Sequence, residues 1–220
     1  NNTKEGFSMK IKLEHWLLIL LSLFLILTHN FWLSVDSRPS SWDASAHLNL
    51  CLQYRDVLTN ADSSIVKNLV AVSGYYPPLY HLSALPFLSL YGFSLSAACL
   101  VNLLYLLILL WATYGIGKRL YNELTGLLAA LLVSVYPFIV YMTHTFVIDL
   151  ALTSMVTLGM YLYLRSEDFT KKWPSILFGV VCGIGVLVKW TYVFFLAGPL
   201  LYTGWRFFTV TVEKKKVWQN

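Results

Sequence analysis

Three charged residues stand where the surrounding sequence gives no local reason for charge: Asp43, Asp149 and Lys189. Asp43 follows Ser40-Ser41-Trp42 and opens Ala44–Leu58, whose Leu48, Leu52, Val57 and Leu58 recur at helical spacing. An aspartate there can cap the helix by accepting a backbone amide hydrogen bond. It can equally present a carboxylate that takes a proton from an acceptor hydroxyl or amine. The two roles are compatible, since one oxygen can cap while the other meets a substrate.

Asp149 lies in Phe146–Leu150, inside an otherwise apolar stretch. Ionisable residues in such stretches are costly and face a bundle interior or a water-filled cavity. The plainer alternative is a structural pair with Thr145 or His144. Lys189 interrupts the apolar run between Val188 and Trp190. Either it snorkels to an interface with its stem in the apolar layer, or it offers a cation to a departing phosphate. His47 follows Asp43 by four residues, close enough to meet it on one helix face. With His81 and His144 it makes up the remaining set of possible ligands. Zinc needs three or four converging ligands, and this spacing specifies none. Ordinary polar contacts are the simpler expectation, with a divalent metal left open.

The elements that must position these groups are apolar and long. Of 220 residues, 57% are hydrophobic and only 12% charged, about half the charge of a soluble domain. Six runs approach the roughly 20 residues that a membrane span needs: about 14–35, 95–115, 125–142, 146–165, 174–189 and 190–208. Continuous apolar runs rather than short alternating segments exclude an outer-membrane barrel. Leu79–Phe93 is shorter and contains Pro86, so it is expected to lie in the interface. On that arrangement Lys4/Lys10/Lys12, Lys118/Arg119, Arg165/Lys171/Lys172 and Arg206/Lys214/Lys215/Lys216 share one side. The positive-inside rule makes that side cytoplasmic. Residues 36–94 then form one long external segment, carrying Asp43 and His47, with Asp149 and Lys189 at the outer ends of their helices.

The net charge of +5 therefore reads as a topology signal, and nucleic acid is not indicated. Cys51, Cys99 and Cys182 fit no metal spacing and act as small hydrophobes. Gly179-Val180-Val181-Cys182-Gly183 has the spacing that lets two helices approach closely. Trp16, Trp32, Trp173 and Trp205 read as interfacial belt residues. Near the start, Met9, Lys10 and Lys12 precede Trp16–Leu27, and Thr28-His29-Asn30 offers no small-residue cleavage site. An uncleaved anchor is expected, and the chain reads as the front portion of something longer.

The order of these features resembles the polyprenyl-phosphate-dependent membrane glycosyltransferases of the GT-C fold. That group includes protein O-mannosyltransferases (glycosyltransferase family 39) and the transferase that adds aminoarabinose to lipid A. The resemblance rests on Ser41-Trp42-Asp43-Ala44-Ser45-Ala46-His47 after the first span and on Tyr75-Tyr76-Pro77-Pro78-Leu79-Tyr80-His81. It continues through Tyr114-Gly115-Ile116-Gly117-Lys118-Arg119-Leu120-Tyr121, then Gly126–Pro137, Phe146-Val147-Ile148-Asp149 and Gly185-Val186-Leu187-Val188-Lys189. Three departures stand out. Ala44 follows Asp43 where many relatives carry Glu, Tyr76 precedes the prolines where Lys or His is common, and relatives are far longer.

The expected fold is an all-α polytopic transmembrane bundle of about six spans, with membrane-parallel helices near 42–58 and 79–93. A tail (1–13) precedes the transmembrane module (14–208), and a second tail or interrupted loop (209–220) follows it. The resemblance implies transfer of a sugar from a polyprenyl-phosphate donor to an extracytoplasmic lipid, glycan or protein. Asp43 would inherit the general-base role and Asp149 the second acidic position. Lys189, Tyr76, His81 and His47 are the expected substrate-binding residues, and no redox cofactor is implied. A bacterial inner membrane is the expected location, the endoplasmic reticulum the alternative. The competing class is a non-enzymatic scaffold subunit or a transporter. An outer cavity holding both Asp43 and Asp149 would favour the enzyme.

Overall fold

The computed structural model describes residues 13–37, 41–60 and 64–217, the last eight of these in backbone only. Every regular element among them is a helix. The apolar run after Lys12 forms α1 (Leu13–Val35), and the Ser41 turn starts α2 (Trp42–Thr59). A short α3 (Ile65–Val72) and the Pro77-Pro78 break lead into α4 (Leu79–Tyr91). At 13 residues, α4 is about 20 Å long, too short for the roughly 30 Å hydrocarbon core of a bilayer. It packs instead against α2.

Leu95–Cys99 (α5) runs almost directly into α6 (Val101–Leu120). Asn122 then caps α7 (Glu123–Val135), its side chain accepting the Thr125 N–H at 2.8 Å. Pro137 forces Tyr136 into an extended conformation, as a residue before proline must be. The chain therefore bends by 64° between α7 and α8 (Pro137–Thr143). α9 (Asp149–Ser166), α10 (Lys172–Val188) and α11 (Tyr192–Val217) complete the chain. The helical course of α11 runs through 209–217, where a tail or loop was expected; Glu, Lys and Val all sustain a helix.

Each expected span coincides with helical structure. Two helices are long and apolar enough to cross a membrane by themselves, Leu13–Val35 and Leu95–Leu120, and the bent α7–α8 pair would make a third. The rest fall short for local reasons. α9 carries Asp149, several hydroxyls and Arg165, and α10 has 17 residues. The bundle is built on α6, which packs against α7 and α9, while α9 packs against α10. Glycines set two of these approaches. A Cβ on Gly117 would lie 2.6 Å from the Gly126 Cα, so α6 and α7 meet there backbone to backbone. Gly159 and Gly185 together make room for the buried Tyr192 ring. Gly179 and Gly183 pack against nothing within 4 Å, so the expected close helix contact is not made at that pair.

Charge separates the two ends of the bundle. Arg119 bonds Glu167 at 2.9 Å, Lys171 reaches Glu167 at 3.6 Å, and Arg206 bonds Asp168 at 2.9 Å. The basic groups of α6, α10 and α11 thus gather around the α9–α10 turn. Glu167, Asp168 and Phe169 in that turn all have left-handed φ, between 49° and 65°. Asp149 and Lys189 mark the opposite end.

Candidate active site

Ser41, extended at φ −70° and ψ 155°, accepts the Ala44 N–H on its hydroxyl at 3.2 Å. Ser41 is therefore the cap of α2, and the capping role considered for Asp43 falls away. Asp43 sits in the first turn, exposed, where a carboxylate also suits the helix dipole. One turn on, His47 is turned inward and only 5% exposed. Its Nδ1 lies 3.0 Å from Nε2 of His81, which is fully buried on α4. One ring nitrogen of the pair must donate and the other accept, so the histidines hold complementary tautomers while both are neutral.

Burial pushes the His47 imidazole below its ordinary range; Asp43 and Asp149 pull it back up, and Lys189 pushes it further down. One ring thus feels three of the charged residues singled out above. Burial, then the charge of His47, drives His81 down to about 3.

The loop before α4 closes over this pair. Ser73 Oγ accepts the Tyr76 N–H at 2.8 Å and the Tyr75 N–H at 3.3 Å. The Tyr76 ring then stands edge-on to His47, with centroids 4.9 Å apart. Tyr75 meets Tyr76 at 4.7 Å and Trp190 at 6.4 Å, both edge to face. This aromatic wall joins the Pro-Pro loop to the α10–α11 turn.

Asp149 is the first residue of α9, and Lys189 ends α10 with extended backbone. Their side chains meet: Lys189 Nζ is 2.8 Å from Asp149 Oδ1. The lysine is 18% exposed and the aspartate 51%. The partner of Asp149 is thus Lys189, rather than Thr145 or His144. Behind them, fully buried Asn102 on α6 donates through Nδ2 to the carbonyls of Met142 (3.1 Å), Thr143 (3.2 Å) and Thr145 (2.9 Å). Its Oδ1 accepts the Tyr80 hydroxyl at 3.0 Å. Asn102 therefore pins the α8–α9 turn from which Asp149 emerges.

The structure brings Asp43, His47, Tyr76, His81, Asp149 and Lys189 to one end of the bundle. A cavity of about 190 Å³ opens beside Asp43, walled by Asp36, Ser41, Ala44, Ser96, His144 and Thr145 among others. Neither Asp43 nor Asp149 lines it, so the cavity expected to hold both carboxylates is not formed there; both are exposed. Among the described residues, no three His, Cys, Asp or Glu side chains converge as metal ligands. Asn102 and the Tyr75–Trp190 wall were missed in the sequence. A lone asparagine in the apolar run 95–115 and a tryptophan next to Lys189 were the available signals.

The model of the dolichyl-phosphate-mannose-protein mannosyltransferase family matches residues 76–219, more than half of the chain. The chain belongs to this family. Its GT-C-like character, argued above from order and spacing, follows from that membership. The protein is a membrane glycosyltransferase of the mannosyltransferase kind, and the scaffold and transporter alternatives give way. The family implies a polyprenyl-phosphate sugar donor and an acceptor met at a membrane. The match takes in Tyr76, His81, Asp149 and Lys189; Asp43 and His47 precede it on α2. No curated protein and no solved structure matches the chain.

Proposed function

We propose that this end of the bundle transfers a sugar from a polyprenyl phosphate to an extracytoplasmic hydroxyl or amine, with Asp43 as general base. The observation that carries the proposal is convergence: residues from α2, the Pro-Pro loop, α4, α9 and the α10–α11 turn meet around His47. Asp43, exposed in its helical first turn, accepts the acceptor's proton as the new glycosidic bond forms at the anomeric carbon. The bond from that carbon to the phosphate oxygen breaks, and the polyprenyl phosphate leaves with the negative charge.

Preorganised donors stabilise such a charge best where water is scarce. Lys189 suits this task. Its ammonium has three N–H donors and gives one to Asp149, leaving two for phosphate oxygens. Asp149 holds the lysine in place and keeps its charge at the site. Tyr76, half-buried against His47, offers a further donor at the same end of the bundle. His81 is fully buried with Nε2 turned to His47, so its part is positioning: the pair locks α2 onto α4 and fixes where Asp43 stands. The six-span topology belongs to the same proposal. It is supported by the gathering of basic groups at the far end of the bundle, which by the positive-inside rule favours a cytoplasmic far end and an external site.

Labelled-sugar transfer from a panel of polyprenyl-phosphate sugars, by the full-length protein in membranes, tests the proposal. Asp43→Asn is expected to lower transfer by about 100-fold or more. Wild-type transfer by Asp43→Asn would overturn the general-base role.

A further inference from the structure

The opposite end of the bundle holds a second site, unrelated to the carboxylates. A cleft of about 650 Å³ opens between α1, α6 and α9. Its polar walls are His15, Tyr114, Lys118, Arg119, Tyr161 and Arg165. Ile108, Trp111 and Leu158 line its deeper part, toward the middle of the helices. No carboxylate lines it; Glu14, next to His15, is not among its walls, and its Oε2 is buried and unbonded behind them.

The charges are unequally met. Lys118 bonds Glu123 and Arg119 bonds Glu167, both at 2.9 Å and both through partners outside the cleft. Arg165 lies over the Tyr161 ring, 5.7 Å from its centroid, and donates to the Tyr161 hydroxyl at 3.3 Å. Among the described residues it has no carboxylate partner. Tyr114 is 4% exposed; its buried hydroxyl makes no hydrogen bond of good geometry, and Lys118, 5.8 Å from the ring centroid, feels it electrostatically. His15 Nδ1, edge-on to Tyr114 at 5.9 Å, is also buried and unbonded. A buried polar group without a partner costs free energy that a ligand can recover. The absence of a side chain at Gly115 lets the Tyr161 ring, one wall of the cleft, pack directly onto α6, where any Cβ would collide with it.

From this geometry we infer that the cleft binds the phosphate headgroup of an anionic phospholipid, with Arg165 and the Tyr114 hydroxyl as its principal donors. The arginine fork matches phosphate oxygens, and the apolar depth of the cleft receives the start of an acyl chain. Arg165 lies about 24 Å along α9 from Asp149. The bound lipid is therefore a separate ligand from the sugar donor, and this inference does not depend on the role of Asp43.

Native mass spectrometry of the full-length protein, given equal amounts of phosphatidylglycerol and phosphatidylcholine with identical acyl chains, tests it. The wild type should retain phosphatidylglycerol selectively. Arg165→Gln should weaken that retention about tenfold or more, Arg165→Lys less, and both should keep glycosyl transfer. Tyr114→Phe removes only the hydroxyl and should also weaken retention; it carries the test if Arg165→Gln fails to fold. Equal retention of the two lipids, or retention unchanged in Arg165→Gln or Tyr114→Phe, overturns the inference. Displacement of the lipid by inorganic phosphate alone would mark a soluble-anion site and overturn the lipid assignment.

Discussion

Lys189 and Asp149, 40 positions apart in the chain, meet through a 2.8 Å ion pair that ties the start of α9 to the end of α10. The pair is half open to solvent on the aspartate side, and pairs of that kind contribute about 1 kcal/mol or less to stability. Its value lies in the placement of the ammonium. Lys189→Gln should therefore leave the melting temperature within a few degrees of wild type and reduce transfer about 100-fold. Asp149→Asn should reduce it less, because the ammonium remains. Paired thermal melts and transfer assays decide this. A loss of stability that matches the loss of activity would make the pair structural.

Acid should loosen α2 and α4 through the histidine pair. His47 and His81 are both held below the ordinary histidine range, His81 at about 3, chiefly by burial. The unfolded chain takes up protons below about pH 6.5 while folded His81 refuses them until about 3. Stability is thus complete above pH 6.5 and lost progressively as pH falls toward 3. At pH 5 the loss is about 2 kcal/mol. Melting temperature against pH should show this slope, and His81→Gln should flatten it.

Asn102 anchors more than its size suggests. Asn102→Leu would strand the Tyr80 hydroxyl and take the Nδ2 donor from the carbonyls of Met142 and Thr143, while the Thr145 carbonyl keeps the Val147 N–H. Each buried group left unpaired costs about 1–3 kcal/mol. The variant should lose about 3 kcal/mol or more, with transfer falling as well because the turn that presents Asp149 loosens. Asn102→Asp keeps the acceptor but loses the donors, and should be nearly as harmful. Denaturant melts in detergent would measure both.

Two glycine-to-alanine changes should diverge. Gly117→Ala forces α6 away from α7 at Gly126, and overpacking of that sort costs about 1–3 kcal/mol. Gly179→Ala meets open space and gains helix propensity, so it should be neutral or stabilising by up to about 1 kcal/mol. Equal losses at the two positions would mean that Gly179 makes a contact in the membrane after all.

How far the sequence led depended on the range of the interaction. The helical spacing of Asp43 and His47, the break at Pro77-Pro78 and the course of the apolar runs are local, and the helices follow them. The cap of α2 was misjudged by two residues because serine and aspartate cap equally well and only backbone geometry decides between Ser41 and Asp43. The Gly179–Gly183 spacing showed that two small residues share a face, but nothing local says which helix covers that face. The same limit hid the Lys189–Asp149 pair: it exists because α9 and α10 pack side by side, a relationship carried by their whole buried surface. α9 mixes hydroxyls and charge along its length, so by length and composition it does not pass as a span by itself, although most of its buried residues are apolar.

The left-handed turn at Glu167, Asp168 and Phe169 bears on how the chain enters a bilayer. It reverses direction within the five residues between Ser166 and Lys172, so little chain separates α9 from α10, which pack side by side. A 17-residue helix is at the short end of what can span a bilayer. Coupled to α9 by so short a reversal, α10 need not be recognised alone: on the proposed topology the two helices would partition as one hairpin, with Lys171 and Lys172 at its cytoplasmic tip.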